Sequence, residues 1–384
     1  MRAGTPYLLH PPELWQAFVY LPAAAWAIAP LSRLPIALGF AIDCVVMVGC
    51  AVGASFVASR LYGITRTTML CLTFAWWPTL YAALVVGQNA TLGLLLALLT
   101  IAGMTRESVA RTAIPLGLLL YKPTYALPLI VVLIVRGRWR ELGGVAACGV
   151  PWYLASVAAT GGDWFWPRTL AGLIRAYAAQ DFRVNGRLSV SLPGILVHAG
   201  IALPAIVVLV FAIAALSIQP LRRVSARECG SAASLIGLAL SPHAWAYDAV
   251  LALPMITFAA ARLAEPTRTP LIVATYVLAP LALLTPVLQF DPLAIVVLGG
   301  TLAWIAVRSS PSAMWSRSTH DDGTLGYGRC ASQHEPQKRG AQIAAREWAL
   351  GNVPECCSAK KRRGDADRVG DRPREKSRSL PTDP

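Results

Sequence analysis

The chain has 384 residues, of which 55% are hydrophobic and only 14% charged, with a mean hydropathy of +0.53 and a formal net charge of +14. That composition excludes an ordinary soluble enzyme, whose surface would carry far more Lys and Glu. The positive charge does not point to nucleic acid: residues 1–308 hold 20 Lys+Arg and 10 Asp+Glu, and the basic residues lie between apolar segments rather than along one face.

Met1–Tyr20 lacks a basic start, an apolar core and a small-residue cleavage site, so it is not a signal peptide. Residues 1–33 read as loop with an interfacial segment. From Leu34 to Arg308 the chain is a succession of apolar runs, near 34–59, 68–86, 90–104, 112–122, 124–135, 142–159, 193–217, 230–242, 247–263, 270–288 and 293–308. A spanning helix needs roughly 20 mainly apolar residues, so the pattern predicts an all-α polytopic membrane protein with 10–11 apolar segments. The runs 112–122 and 124–135, broken at Pro123, read as half-helices of one re-entrant unit, a geometry tolerated only under cover of protein or a wet cavity. The longest connector, 160–192, predicts a short amphipathic helix over Thr169–Ala179, with Trp164 and Trp166 suited to the headgroup level. Residues 309–384 change character, with 14 Lys+Arg and 10 Asp+Glu including KKRR at Lys360–Arg363, and predict a disordered basic tail with weak attraction to anionic lipid.

With connectors assigned to alternate sides, thirteen arginines from Arg60 to Arg308 fall on one face and six on the other. The positive-inside bias makes the first face, and the tail, cytoplasmic. The 87–89 turn, the 160–192 loop, Ser241–Asp248 and Gln289–Asp291 then lie outside. The eight cysteines form no disulfide framework and no zinc spacing, and no residue is assigned as a metal ligand.

Ionisable groups at membrane depth are costly and mark function by default. Lys122, in LLLYKPTYALP, either snorkels to an interface or meets an anion such as a lipid phosphate. Gln88 and Asn89 are a polar pair between apolar helices: a plain turn or hydrogen-bonding groups for a substrate. In Ser241-Pro-His-Ala-Trp-Ala-Tyr-Asp248, His243 is suited to proton transfer near neutral pH, and Asp248 either orients it or accepts a proton itself. Tyr247 joins the same group as a substrate contact; the bland alternative for the whole segment is an interfacial cap. Asp43, inside the first span, reads as a packing residue or as part of the same polar cavity, and Asp163 and Asp181 as solvated or, less readily, as substrate contacts. Three polar clusters on one side predict a cavity opening outward.

The order of GTPYLLHPPELWQAFVYLPAAAWAIAPLSRLP, GQNATLGLLLAL, YKPTYALPLIVVLIVRGRWREL, SLPGIL and SPHAWAYDAVLALP resembles glycosyltransferase family 87 over about residues 4–308. The resemblance implies a helical bundle of the membrane-embedded C-type glycosyltransferase fold. It implies transfer of a sugar, mannose or a similar hexose, from a polyprenyl-phosphate donor to a lipid or glycan acceptor on the outer face of the cytoplasmic membrane, with no cofactor. His243 matches the family's histidine in the SPH-type motif, in a proton-handling role. On the matching segments, Lys122 suits the leaving phosphate, and Gln88 and Asn89 suit the sugar or headgroup.

Family members begin with a further spanning helix and an outer loop carrying an acidic catalytic residue. This chain starts at MRAGTPY, within that loop, and Glu13 is the one carboxylate before the first span, at a position that does not match the motif. The departure predicts an N-terminally truncated enzyme or an inactive paralogue. A transporter or flippase of lipid-linked sugar is the other rival; it predicts inverted repeats, and none stands out here.

Overall fold

The computed structural model describes residues 20–310 apart from 264–268, 271, 275–276, 278 and 289. The chain divides into two units, Met1–Asp321 and Asp322–Pro384, and every described residue lies in the first. Glu13 and the basic tail lie outside the described residues.

The described chain is helical, and its one β feature is an isolated antiparallel bridge between Ser189 and Trp245. After a short α1 (Pro22–Ile28), α2 (Ile36–Tyr62) runs 27 residues, about 40 Å at 1.5 Å per residue, enough to cross a bilayer with tilt. It ends at Gly63, whose φ of 72° is a left-handed conformation that costs glycine nothing. Among the described residues, two further helices have the length and apolarity of a span: α8 (Trp139–Ala159) and α11 (Leu203–Arg223). The expected run 68–86 is a broken span instead, α3 (Arg66–Ala75) and α4 (Trp77–Val85), bent by 63° ahead of Pro78.

Shorter apolar helices fill the middle: α5 (Ala90–Thr105), α6 (Val109–Leu119), α7 (Pro123–Val135) and, near the end, α14 (Leu293–Ser309). Helix α5 is apolar on all sides, as a helix enclosed by others must be, and packs on α2, α6 and α12 (Ala226–Leu240). Close approach is bought at Gly103, where a Cβ would lie 2.3 Å from the Arg111 carbonyl oxygen of α6.

The predicted break between α6 and α7 is present. Lys122 stands just outside the start of α7 with φ −124° and ψ 85°, the extended geometry that a following proline imposes. Two expected spans divide. Run 193–217 becomes α10 (Leu192–His198) and α11, separated at Gly200 with φ 78°, and run 247–263 becomes a 3-10 segment Ala246–Ala252 followed by α13 (Leu253–Arg262). In loop 160–192 the helix is longer than expected: α9 (Trp166–Asn185) buries Trp166, Leu170 and Leu173 against Val157 and leaves Trp164 and Phe165 exposed. Trp166 therefore packs inward, unlike its neighbour.

The connectors sort to two ends. At one, Arg136 donates to the Val224 carbonyl at 2.6 Å, Arg138 donates to the Met104 carbonyl at 2.9 Å, and Arg308 grips Glu228 through Nε at 2.6 Å and Nη2 at 2.8 Å. At the other, the 86–89 turn, Lys122, Ser189–Val190 and Ser241–Asp248 meet.

Candidate functional site

The polar end is organised around one lysine. Because the chain breaks between α6 and α7, the Lys122 side chain enters the bundle rather than lying along a helix face. Its Nζ donates to Asp248 Oδ1 at 2.8 Å and to the Tyr125 hydroxyl at 2.6 Å, and Tyr125 donates to the same Asp248 oxygen. The lysine side chain is 10% exposed and the aspartate 1%. The rings of Tyr125, Tyr247 and Tyr20 lie 4.0, 5.6 and 5.8 Å from Nζ, so their π-faces add to the stabilisation of a cation removed from water.

Asp248 is fixed by its own backbone as well. It opens the 3-10 segment Ala246–Ala252: its Oδ2 accepts from the Trp245 amide at 2.9 Å, and its amide donates to the Trp245 carbonyl at 2.8 Å. A carboxylate is favoured at such a helix start. One oxygen thus caps the segment while the other faces the lysine.

The 86–89 turn closes the second side. Tyr20 donates to Gln88 Oε1, and the Tyr121 hydroxyl donates to the Asn89 carbonyl at 3.1 Å. The Asn89 Oδ1 is buried without a partner among the described residues, a free acceptor at the start of α5. Burial pushes the Tyr20 phenol up, against the opposing pull of Lys122, so Tyr20 stays a neutral donor.

His243 sits beyond Tyr125. Its backbone is locked by Ser241, whose hydroxyl donates to the His243 carbonyl at 2.8 Å and accepts from the His243 amide at 3.2 Å. The Trp245 indole N–H approaches the imidazole edge-on, 2.6 Å from Nε2. The half-buried ring lines a crevice with Thr124, Tyr125, Ser234 and Ser241, so Tyr125 is a wall shared by the crevice and the lysine cluster. The Ser189–Trp245 bridge and the Val190 amide, which donates to the Ala244 carbonyl at 3.0 Å, tie this segment to the end of the long loop.

The structure brings Lys122, Asp248 and Tyr247 into one cluster, reaches Gln88 and Asn89 through Tyr20 and Tyr121, and sets His243 on the far side of Tyr125. The three tyrosines Tyr20, Tyr121 and Tyr125 were missed by sequence reasoning. For Tyr121 and Tyr125 the signal was present in YKPTY, which brackets the lysine, with Tyr125 one helical turn away. Asp43 is half-buried in α2 with no hydrogen bond or ion pair among the described residues, and Asp163 accepts from the Phe165 amide at 2.8 Å. The side chain of Asp181 lies outside the described residues. Among the described residues no group of three or more His, Cys, Asp or Glu converges as a metal site.

Residues 18–242 match the model of glycosyltransferase family 87, more than half of the chain. The chain belongs to glycosyltransferase family 87. No curated protein and no solved structure matches it. The family 87 match covers Tyr20, Gln88, Asn89, Tyr121, Lys122 and Tyr125 and stops one residue before His243, so the second half of the polar cluster lies just past its end. A family 87 member is a glycosyltransferase, and this one is built of apolar helices suited to a membrane.

Proposed function

We propose that this family 87 member transfers a hexose, mannose or a close relative, from a polyprenyl-phosphate donor to a lipid or glycan acceptor. The reaction takes place on a C-type scaffold at the outer face of the cytoplasmic membrane, with the tail cytoplasmic. The arginine bias of the connectors supports that orientation.

The acceptor hydroxyl oxygen bonds to the anomeric carbon as the carbon–oxygen bond to the lipid phosphate breaks, and the bonding pair leaves with the phosphate. Two groups are needed: a cation for the departing phosphate and a base for the acceptor proton. Lys122 is the cation. Asp248 and Tyr125 position its Nζ, and the phosphate takes over from Asp248 as charge partner when the donor arrives. His243 accepts the proton, its ring held edge-on against the Trp245 indole. Gln88, Asn89 and Tyr247 line the sugar, with the free Asn89 Oδ1 accepting from a sugar hydroxyl.

The observation that carries this reading is the buried lysine, held by a carboxylate and ringed by tyrosines, inside a segment the family model covers. Membranes containing the full chain are incubated with radiolabelled polyprenyl-phosphate mannose, alongside His243→Ala and Lys122→Met. The expected result is transfer by the unaltered chain and a loss of about 100-fold or more in His243→Ala, the lower end of what a general base contributes. No transfer by the unaltered chain, or equal transfer by both variants, overturns the proposal.

A further inference from the structure

Asp43 stands two turns into α2, and a carboxylate within a span needs compensation from somewhere. Among the described residues none comes from the chain, for Asp43 has no hydrogen bond and no ion pair. Nor does it face lipid. Ala41, Val45 and Val48 form the exposed stripe of α2, whereas Asp43 falls on the opposite stripe with Met47, Cys50 and Ala54, where Met47 and Ala54 are buried.

Contacts join that inward stripe to the polar site. The Thr91 hydroxyl, at the start of α5, donates to the Met47 carbonyl at 2.8 Å, and Cys50 is close enough to Tyr121 to interact with it electrostatically. Helices α2 and α5 both run from the polar end toward the arginine end: Tyr62, at the end of α2, meets the Ser231 hydroxyl one turn from Glu228, and Met104, near the end of α5, accepts from Arg138. Measured from the Met47–Thr91 contact, Asp43 is one turn, about 6 Å, toward the polar end, and Asn89 is two residues, about 3 Å, in the same direction. The half-buried carboxylate therefore stands nearly level with Asn89, whose Oδ1 is buried without a partner among the described residues. From Lys122 the order runs through the Tyr20 ring to Gln88, through Tyr121 to Asn89, and then to α2.

We infer that Asp43 is a specificity residue for the donor sugar, its carboxylate accepting hydrogen bonds from hydroxyls on the side of the hexose remote from the phosphate. The inference rests on the donor class and the phosphate site proposed above. A phosphate calls for a cation and finds Lys122; sugar hydroxyls call for acceptors, and an ionised carboxylate offers two acceptor oxygens and no donor. Asn89 Oδ1 supplies a further acceptor at the same level.

The test is a comparison of two ligands that differ only in the sugar. Farnesyl-phosphate mannose and farnesyl phosphate are titrated calorimetrically into the full chain in detergent micelles, with empty micelles subtracted. Asp43→Asn should weaken binding of the mannose-bearing ligand about tenfold or more, as expected for hydrogen bonds to a charged group. Farnesyl phosphate should bind within about twofold of the unaltered chain, and the melting temperature should not fall, because no bond within the chain is lost. Lys122→Met should weaken both ligands. Equal weakening of both by Asp43→Asn overturns the inference in favour of a packing role, and no change in either overturns it in favour of a carboxylate that is merely solvated. Mannose lacking one hydroxyl at a time gives a second test: the loss caused by Asp43→Asn should vanish for the analogue that lacks the hydroxyl bound by Asp43. A loss that is the same for every analogue overturns the inference. If the unaltered chain binds neither ligand, the proposed donor class fails and the inference falls with it; binding of both by the unaltered chain leaves that class standing whatever Asp43→Asn does.

Discussion

Lys122 and Asp248 should behave energetically as one buried unit, coupled about as strongly as either single loss. At 2.8 Å, with side chains 10% and 1% exposed, the Coulomb attraction at an effective dielectric of 20 is about 6 kcal/mol. Desolvation of both ions offsets most of that, so the pair as a whole adds little net stability. Removing one partner is different, because the other keeps its burial and loses its counter-charge, at about 3–5 kcal/mol. Lys122→Met keeps the stem length, and Asp248→Asn keeps an oxygen for the Trp245 amide, so each removes charge with little change of shape. Both single variants should lose about 3–5 kcal/mol. The double variant should lose no more than either single one, giving a coupling of at least ~3 kcal/mol. The assay is reversible unfolding in mixed micelles followed by helical circular dichroism, for all four members of the cycle. Losses that add to within about 0.5 kcal/mol would refute the account of Lys122 and Asp248 as one buried ionic unit.

Gly93 clears room for the cluster: a Cβ there would lie 2.4 Å from two ring carbons of Tyr125. Gly93→Ala should therefore displace Tyr125, cost about 1–3 kcal/mol, and reduce sugar transfer much more than a comparable substitution on the lipid face; unchanged transfer in the radiolabel assay would contradict it. Asp291, buried in the connector before α14, has one oxygen on the Leu293 amide at 2.9 Å and the other without a partner among the described residues, and burial pushes its carboxyl up to about 6. A raised folded value means that stability is fully present below the ordinary value of 3.8 and is lost as pH rises to about 6, a difference on the order of 3 kcal/mol. Asp291→Asn should unfold at higher denaturant than the unaltered chain at pH 7–8 and match it near pH 4; a constant difference across that range would show that the carboxyl does not titrate between those limits.

Much of this arrangement was readable from breakers and charges. Apolar runs bounded by arginine marked where the helices lie because no other backbone survives in hydrocarbon, although the runs 68–86, 193–217 and 247–263 each divide. The Lys122-Pro123 break was visible for a local reason, the restriction that proline places on its predecessor. What stayed hidden depended on contacts between distant segments. Nothing local in SPHAWAYD said that Asp248 would turn to Lys122, 126 residues earlier, although an isolated lysine and an isolated aspartate in apolar surroundings are each a demand for a partner. The splitting of 247–263 was missed because the capping contact of Asp248 with Trp245 competes with the α-helical pattern of the apolar run. The tyrosines were passed over because aromatic residues in a membrane segment usually signal an interface rather than a cation site.

Two ion pairs of the bundle, Arg308–Glu228 and Lys122–Asp248, differ in a way that separates scaffold from site. At the arginine end, Glu228 receives Arg308 in a two-point grip and the Trp304 indole at 3.0 Å, so its oxygens are bound by rigid, planar donors. That pair joins α12 to α14, and exchanging either partner would leave a charge with no substitute. At the polar end the cation is a lysine, which has three N–H groups and no fixed plane. Asp248 and Tyr125 use two of them. Among the described residues the third has no acceptor within hydrogen-bond distance. Saturated planar contacts suit a joint that must not move, whereas a point charge with one open donor suits an anion that comes and goes. Under the proposed function, the arginine serves as a fastening and the lysine as a contact that the donor phosphate can share.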